Sequence, residues 1–259
     1  MSFPFADYHN ERESFEALFQ PECQKRILMF RGESGSGKTA LLTYCLRRVP
    51  ERVSCIPIQL RGAAVSVAEI FYRSGPILKW DRLPNFTEQV AALQGTPKVQ
   101  INRNWLGGIN NHISVALQGE SQDIREHRRV GLTEAWFDDL KNLEQTVLFA
   151  LDTYEQATTE IKEWISGPFM ARASRVEFVR ILLGGQIVPD EENIEWGHCS
   201  VTYDLYGVPE AEHWLPVVEE MGRYVPDVNL RDWLAGVCYA FKGRPNEIMQ
   251  AIKSLPRVK

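Results

Sequence analysis

A glycine-rich segment of eight residues carries the strongest chemical signal in the sequence. Residues 32 to 39 read Gly-Glu-Ser-Gly-Ser-Gly-Lys-Thr. The glycines allow the backbone to wrap and to point its N–H groups at phosphate oxygens. Lys38 is suited to contact the β- and γ-phosphates of a nucleotide, and the Thr39 hydroxyl to bind Mg²⁺. The segment therefore predicts a phosphate site.

The neighbouring residues place this segment between a strand and a helix. Ile27-Leu28-Met29-Phe30 is a short apolar run bounded by charge and glycine, which is typical of a strand buried on both faces. Residues 40–48 have helical spacing, and the positive end of the helix dipole favours a bound phosphate. The predicted ligand residues are Gly32, Glu33, Ser34, Gly35, Ser36, Gly37, Lys38, Thr39 and Ala40.

A second candidate, Asp152, ends the most apolar run of the chain, Val147-Leu148-Phe149-Ala150-Leu151. In a doubly wound sheet, a carboxylate at the C-terminal end of a buried strand lies beside the phosphate loop, where it can hold Mg²⁺. The alternative is an aspartate that caps the following helix. The pattern predicts Thr39 and Asp152 as magnesium ligands.

Two further residues are suited to act on the terminal phosphate. Glu155 lies three residues after Asp152 and could polarise an attacking water, but the helix dipole equally explains a glutamate in a first turn. Gln186 follows Gly184-Gly185 after a predicted strand, and its neutral amide would attract developing negative charge less than an arginine would. The candidate catalytic residues are Lys38, Asp152 and Glu155.

Strands and helices alternate along most of the chain. The predicted strands span residues 27–30, 53–60, 147–151, 176–183 and 201–205, and Pro57 suggests that the second lies at a sheet edge. After Pro209 only helices are predicted, over residues 210–221, 229–240 and 246–255. This order indicates an α/β fold, a P-loop NTPase parallel sheet flanked by helices, followed by a small all-helical lid subdomain.

The predicted domains are residues 1–207, which bind the nucleotide, and residues 208–259, which form the lid. Two runs of alternating residues flank Gly107-Gly108. They predict a β-hairpin inserted at about residues 95–120.

Composition narrows the class of protein. The 259 residues carry a net charge of −5, which argues against general electrostatic binding of nucleic acid. Arg125, Arg128 and Arg129 fit a solvated charged face better than a basic binding patch. Five cysteines without C-x-x-C spacing suggest a reducing compartment, and His198-Cys199 lacks the further ligands of a metal site. No apolar stretch reaches the ~18 residues of a membrane span. We expect a cytoplasmic protein.

Several segments, in their order along the chain, resemble the STAND branch of the AAA+ ATPases, a group of signal-transduction NTPases. Besides the phosphate loop they are residues 5–15, Asp152-Thr153-Tyr154-Glu155, Leu182-Leu183-Gly184-Gly185-Gln186, Leu205-Tyr206-Gly207-Val208-Pro209-Glu210-Ala211 and Gly243-Arg244-Pro245. The resemblance covers nearly the whole chain. It implies an ATP-binding core with a helical lid, in which Tyr8 and Pro245 flank the adenine.

The resemblance also implies a switch, with ADP held in a closed state and ATP in an open state that forms homo-oligomers. ATP or ADP and Mg²⁺ would be the cofactors, and effector or sensor modules the partners. Bacterial relatives often serve in defence or signalling.

The sequence departs from this family in three respects. Gln186 replaces an arginine, and no arginine lies in residues 187–200, so fast hydrolysis by a ring is not expected. The chain stops at Lys259, before a winged-helix domain and sensor repeats. The resemblance therefore leads us to expect either an excised domain or a chain whose effector and sensor are supplied by partner chains.

We predict an ATP-binding molecular switch with slow hydrolysis, that is, a weak ATPase. The main alternative is a nucleotide-binding scaffold that barely hydrolyses, supported by Thr153 after Asp152 and by Gln186. A small-molecule kinase and a DNA-loading ATPase are weaker alternatives, because the tail is helical and the charge balance acidic. The choice of ATP over GTP rests on the resemblance alone.

Overall fold

A five-stranded parallel sheet forms the centre of the computed structural model, which describes residues 5–62, 65–98 and 101–257. The strands are β1 (Ile27–Arg31), β2 (Ser54–Gln59), β3 (Val147–Asp152), β4 (Val179–Gly185) and β5 (Ser200–Asp204). Their spatial order is β2-β3-β4-β1-β5, with every adjacent pair parallel. Both faces of β1, β3 and β4 are buried, which explains the apolar runs at residues 27–30, 147–151 and 181–183. The edge position suggested by Pro57 is confirmed, since β2 pairs only with β3.

Helices cover both faces of this sheet. In chain order they are α1 (His9–Ala17), α2 (Lys38–Leu46), α3 (Val67–Leu78), α4 (Pro84–Leu93), α5 (Arg103–Gly107), α6 (Ile109–Ala116), α7 (Gln122–Asn142), α8 (Thr159–Trp164), α9 (Met170–Ala173), α10 (Leu215–Glu220), α11 (Leu230–Ala240) and α12 (Pro245–Ser254). Alternate residues of β1 point to opposite faces. Ile27 and Met29 therefore join one apolar cluster, with Trp136 of α7, whereas Leu28 and Phe30 join another.

The C-terminal helices share their apolar core with the helix that follows the phosphate loop. Leu41 and Leu42 of α2 belong to the same buried cluster as Trp214, Leu234 and Ile248. The named elements after β5 are all helical, as the sequence predicts. This shared cluster holds α12 against the end of the sheet where the phosphate loop lies.

The predicted β-hairpin is wrong. Helices α5 and α6 occupy this part of the chain, and Val99 and Gln100 of the predicted hairpin lie outside the described residues. The buried residues Ile109, Ile113 and Ala116 are four and three positions apart, which is the period of one helix face. A run of five residues is too short to separate that period from strand alternation. Gly107 ends α5, and Gly108 lies between the two helices.

The arginine cluster on α7 is held by protein contacts rather than being only solvated. Arg129 is buried and forms ion pairs with Glu126 and Glu160. Arg125 and Arg128 donate hydrogen bonds to backbone carbonyls of the preceding turn. The cluster therefore fixes the start of α7.

A buried carboxylate joins two of the helices that follow β2 and precede β3 in the chain. Asp139 of α7 is 1% exposed and accepts hydrogen bonds from the backbone N–H groups of Asn85, at 3.1 Å, and Phe86, at 2.8 Å. The Asn85 side chain donates a third bond at 2.8 Å. These N–H groups lie in the first turn of α4, where no helical acceptor exists. Asp139 therefore ties α4 to α7.

We expect Asp139→Ala to lower the free energy of unfolding by about 2 kcal/mol, because it leaves the buried N–H group of Phe86 and the partly buried N–H group of Asn85 without acceptors. Asp138→Ala is the matched control, since Asp138 is exposed on the same helix, and a change below about 0.5 kcal/mol is expected. Urea unfolding followed by circular dichroism measures both. Equal losses in the two variants would contradict the assigned role of Asp139.

Candidate functional site

The glycine-rich segment forms the connection between β1 and α2, as predicted. Gly37 precedes the first helical residue, Lys38, and has a φ of 91°. Gly35 has a φ of 88°. Only glycine adopts such left-handed angles readily, so both positions require it. The start of α2 thus opens into the loop, as a phosphate site requires.

Lys38 lies across the mouth of the loop. Its Nζ donates to the carbonyl oxygens of Gly32, at 2.6 Å, and Glu33, at 2.7 Å. Burial lowers the pKa of Lys38, while the nearby carboxylates of Glu155 and Asp152 oppose this change. The Lys38 ammonium is thus hydrogen-bonded to two neutral carbonyl oxygens. A bound anion such as a phosphate would stabilise it more strongly.

Thr39 and Asp152, the predicted magnesium ligands, are in contact. Thr39 Oγ1 donates to Asp152 Oδ2 at 3.1 Å, and the Thr153 N–H donates to Asp152 Oδ1 at 2.8 Å. Burial raises the pKa of Asp152, although these two hydrogen bonds work in the opposite direction. A hydroxyl and a carboxylate side by side, next to a phosphate loop, are the oxygen ligands that Mg²⁺ takes from proteins. The residues present fit this ion.

Glu155 and Gln186 are also brought together. The Gln186 backbone N–H donates to Glu155 Oε2 at 2.9 Å, which joins the turn after β3 to the end of β4. Thr153, before this turn, has a left-handed φ of 65°, an uncommon angle for a residue other than glycine. Both candidate side chains lie on the wall of the same cavity as Lys38 and Asp152.

Tyr8 and Pro245 meet at the phosphate loop from opposite ends of the chain. Tyr8 is buried, and its hydroxyl donates to the Ser36 carbonyl at 2.5 Å. Burial raises the pKa of Tyr8, so it remains a donor at neutral pH. A methyl group built on Gly37 would lie 3.2 Å from Pro245 Cγ and 3.5 Å from Tyr8 Cε2. The N-terminal segment, the loop and α12 therefore converge at Gly37.

These residues surround a cavity of about 430 Å³. That volume lies within the range of small-molecule sites. One set of lining residues is polar or charged, and comprises Asp7, Ser34, Lys38, Thr39, Asp152, Thr153, Glu155, Gln156, Gln186, Asn246 and Lys253. A second set is aromatic or apolar, and comprises Phe5, Ala6, Tyr8, Val208, Trp214, Pro245 and Met249. A cavity lined by both kinds of residue suits a ligand that has a charged part and an apolar part.

Not every predicted ligand residue lines the cavity. Gly35, Gly37 and Ala40 do, whereas Gly32, Glu33 and Ser36 do not and act through the contacts of their backbone carbonyls. Sequence reasoning missed five lining residues that come from the C-terminal helices and the segment before them: Val208, Trp214, Asn246, Met249 and Lys253. The spacing of the last three on α12 could have revealed them, but only once one face of that helix was known to meet the loop.

In the described residues, no helix has both the length and the apolar character to cross a bilayer. The same residues contain no group of three or more His, Cys, Asp or Glu side chains arranged to hold a metal ion.

Comparison with known proteins gives matches among solved structures only. No family model matches the sequence, and no curated protein does. The chain is similar to Cdc6p from Pyrobaculum aerophilum, with 11% identity over 97% of this chain and 61% of that one, at a TM-score of 0.51. It also matches Drosophila ORC bound to AT-rich DNA and Cdc6 (10% identity, 95% of this chain and 81% of that one, TM-score 0.39). A Bacteroides Pif1 helicase in complex with ADP-AlF3 and ssDNA matches with 13% identity, over 85% of this chain and 47% of that one, at a TM-score of 0.31.

The similarity to Cdc6p concerns the fold, since the identity is only 11%. Together with the parallel sheet and its flanking helices, it shows an α/β P-loop NTPase-like fold with C-terminal helices. The predicted fold class is confirmed.

We expect Asp152→Asn to abolish the Mg²⁺ dependence of nucleotide binding, with a loss of about tenfold or more in affinity, because a neutral amide is a poor ligand for this cation. The free energy of unfolding of Asp152→Asn should fall by no more than about 0.5 kcal/mol, and an increase is also consistent, since burial already disfavours the ionised carboxylate. In the unaltered protein, Mg²⁺-dependent binding should weaken as the pH falls through the raised pKa of Asp152, at a higher pH than an ordinary aspartate would give.

Titration calorimetry with and without Mg²⁺ measures this effect. Asp204→Asn is the control, because Asp204 ends β5 at the same edge of the sheet but pairs with Arg31 outside the cavity. A variant at Asp152 that retained the full Mg²⁺ dependence would rule out this residue as a ligand.

Proposed function

We propose that this protein binds a nucleoside triphosphate with Mg²⁺ in the cavity at the phosphate loop and acts as a STAND-like molecular switch with slow hydrolysis. The observation that carries the proposal is the convergence at Gly37 of Tyr8 and Pro245. A ligand bound to the loop touches the N-terminal segment and the C-terminal helices at the same point. Its presence or absence can therefore change how these parts pack together.

The polar residues supply the parts of phosphoryl transfer. The P-loop amides and Lys38 would hold the phosphates, and Thr39 and Asp152 would hold Mg²⁺, which offsets the phosphate charge. A water oxygen would attack the γ-phosphorus in line, while the bond to the β–γ bridging oxygen breaks. Glu155 would accept the proton of that water.

Slow turnover is expected from the same geometry. Gln186 lines the cavity where a charged group would stabilise the transition state more strongly, and it is neutral. Among the described residues that line the cavity, the basic ones are Lys38 and Lys253.

ATP is the proposed nucleotide, on the STAND resemblance. Effector or sensor partners, nucleotide-dependent homo-oligomers, a cytoplasmic location and a role in bacterial signalling or defence are proposed on the same ground.

One contact favours the second candidate, a scaffold that binds nucleotide and barely hydrolyses it. Glu155 Oε2 already accepts the Gln186 backbone N–H at 2.9 Å, so this oxygen is engaged by the protein and would have to give up that bond to accept a proton from water. In this function, nucleotide binding alone would order α12 against the core. Hydrolysis separates the two candidates.

We expect the purified protein to carry bound nucleotide, which is identified after denaturation by chromatography. Lys38→Ala should lose it, because the variant removes a charge-assisted contact to the phosphates. Bound ADP with phosphate release below about 1 s⁻¹ would support a resting switch. A site that is empty, and that also fails to bind added ATP with Mg²⁺, would contradict the proposal.

We expect Glu155→Gln to lower phosphate release by at least about 100-fold while ATP binding is retained, if Glu155 is the general base. Glu163→Gln is the control, since Glu163 is exposed on α8 and does not line the cavity. Unchanged release in Glu155→Gln would rule out this residue as the base and favour the scaffold.

A further inference from the structure

The candidate base Glu155 lies in a turn of only three residues. This 3₁₀ turn, Tyr154–Gln156, follows Thr153, whose φ of 65° and ψ of 43° are left-handed. Two backbone hydrogen bonds of 3.0 Å close the turn. A residue other than glycine keeps a left-handed conformation only where its surroundings impose it. The position of Glu155 therefore depends on contacts from outside the turn.

Helix α8 supplies one of these contacts through Lys162. The Lys162 ammonium donates to the Glu155 carbonyl oxygen at 2.8 Å, and the Tyr154 hydroxyl donates to the Lys162 carbonyl oxygen at 3.3 Å. An ammonium group forms a stronger hydrogen bond with a carbonyl oxygen than a neutral donor would. The turn and α8 are thus joined by two hydrogen bonds that run in opposite directions.

Helix α8 is itself held in place by buried contacts. Ile161 and Trp164, on either side of Lys162 in the chain, are each 1% exposed. Trp164 Nε1 donates to the Thr133 hydroxyl of α7 at 2.9 Å. The Thr158 hydroxyl caps the start of α8 by accepting the Ile161 N–H at 3.4 Å. The side chain of Lys162 therefore extends from a fixed element, as a group that positions another residue must.

A second contact, from the end of β4, holds the Glu155 carboxylate. Its Oε2 accepts the Gln186 N–H at 2.9 Å. A methyl group on Gly185 would lie 3.3 Å from Glu155 Oε2 and 3.1 Å from Tyr154 Cβ, so the absent side chain lets the turn pack closely on β4. Glu155 Oε1 accepts no hydrogen bond from the described residues. It is therefore the oxygen that can take a proton without breaking a contact.

We propose that Lys162 is a positioning residue, which fixes the Glu155 carbonyl and so holds the Glu155 carboxylate where it accepts the proton of the attacking water. The inference rests on the hydrolytic function proposed above. Lys162 does not line the cavity, whereas Glu155 does, so Lys162 acts through Glu155 and not on the nucleotide. Without Lys162 the peptide group of Glu155 could rotate, and a small displacement of a catalytic group lowers the rate strongly.

The test compares phosphate release at saturating ATP with the affinity for a non-hydrolysable ATP analogue, both with Mg²⁺ and the full chain. We expect Lys162→Met, which removes the ammonium, to lower release at least about tenfold and to change affinity less than about twofold. Lys162→Arg should recover most of the rate, because a guanidinium can donate to the same carbonyl. Lys141→Met is the matched control with unchanged release, since Lys141 is exposed near the end of α7 and does not line the cavity.

A double-mutant cycle with Glu155→Gln separates positioning from a general structural role. If Lys162 acts through Glu155, adding Lys162→Met to Glu155→Gln should lower release by less than about a further twofold. Lys162→Gln, whose side chain is shorter and neutral, should behave as Lys162→Met does and replaces it if that variant fails to fold.

Three results would overturn the inference while the nucleotide site stands. They are unchanged release in Lys162→Met, equal losses of release and affinity in that variant, and a full further tenfold loss in the double variant. If Glu155→Gln itself leaves release unchanged, the base assigned under the proposed function fails, and the inference fails with it. The result for Glu155→Gln alone therefore distinguishes the two failures.

Discussion

The site depends on how closely helix α2 can approach strand β4. The phosphate loop follows β1 and Asp152 ends β3, and β4 lies between these two strands. Thr39 can reach Asp152 only if α2 passes over the end of β4. A methyl group on Gly184 would lie 2.5 Å from Leu42 Cδ1 and 3.5 Å from Asp152 Oδ1, so a larger residue would have to displace the buried Leu42 side chain of α2. The absent side chain at Gly184 thus leaves room for Leu42 where α2 passes over β4, beside the hydrogen bond between Thr39 and Asp152.

The same close approach buries two ionisable groups of the site, Lys38 and Asp152. Burial lowers the pKa of Lys38 and raises the pKa of Asp152, and each change disfavours the charged form. Carbonyl oxygens and a hydroxyl compensate only in part, because they carry no opposite charge. A phosphate group for Lys38 and a cation for Asp152 would supply what the fold leaves out. A ligand that carries both a phosphate group and a bound cation would therefore form the strongest contacts with this site.

The sequence predicted the parts of the site that are local. The phosphate loop and Asp152 each follow an apolar strand, so spacing alone identified them, and the five strands are all present. The hairpin failed because a run of five residues between glycines fits two periods equally well. Asn246, Met249 and Lys253 were not found as lining residues because their place at the cavity depends on the packing of α12, over 200 residues from the loop. That packing is decided by Trp214 and Ile248, which look like ordinary core residues.

The way the helical segment is attached limits how it can respond to a ligand. The first residues of the helical segment, Gly207 and Val208, pass beside the turn that precedes α12. There the Val208 N–H donates to the Gly243 carbonyl at 2.7 Å. A methyl group on Gly207 would lie 2.5 Å from that same carbonyl oxygen. The two backbones are thus in direct contact two residues before Pro245. This crossing holds the start of α12, and Ile252 and Leu255 bury its far end in the apolar cluster. A ligand at Gly37 would therefore act on a helix that is held at both ends.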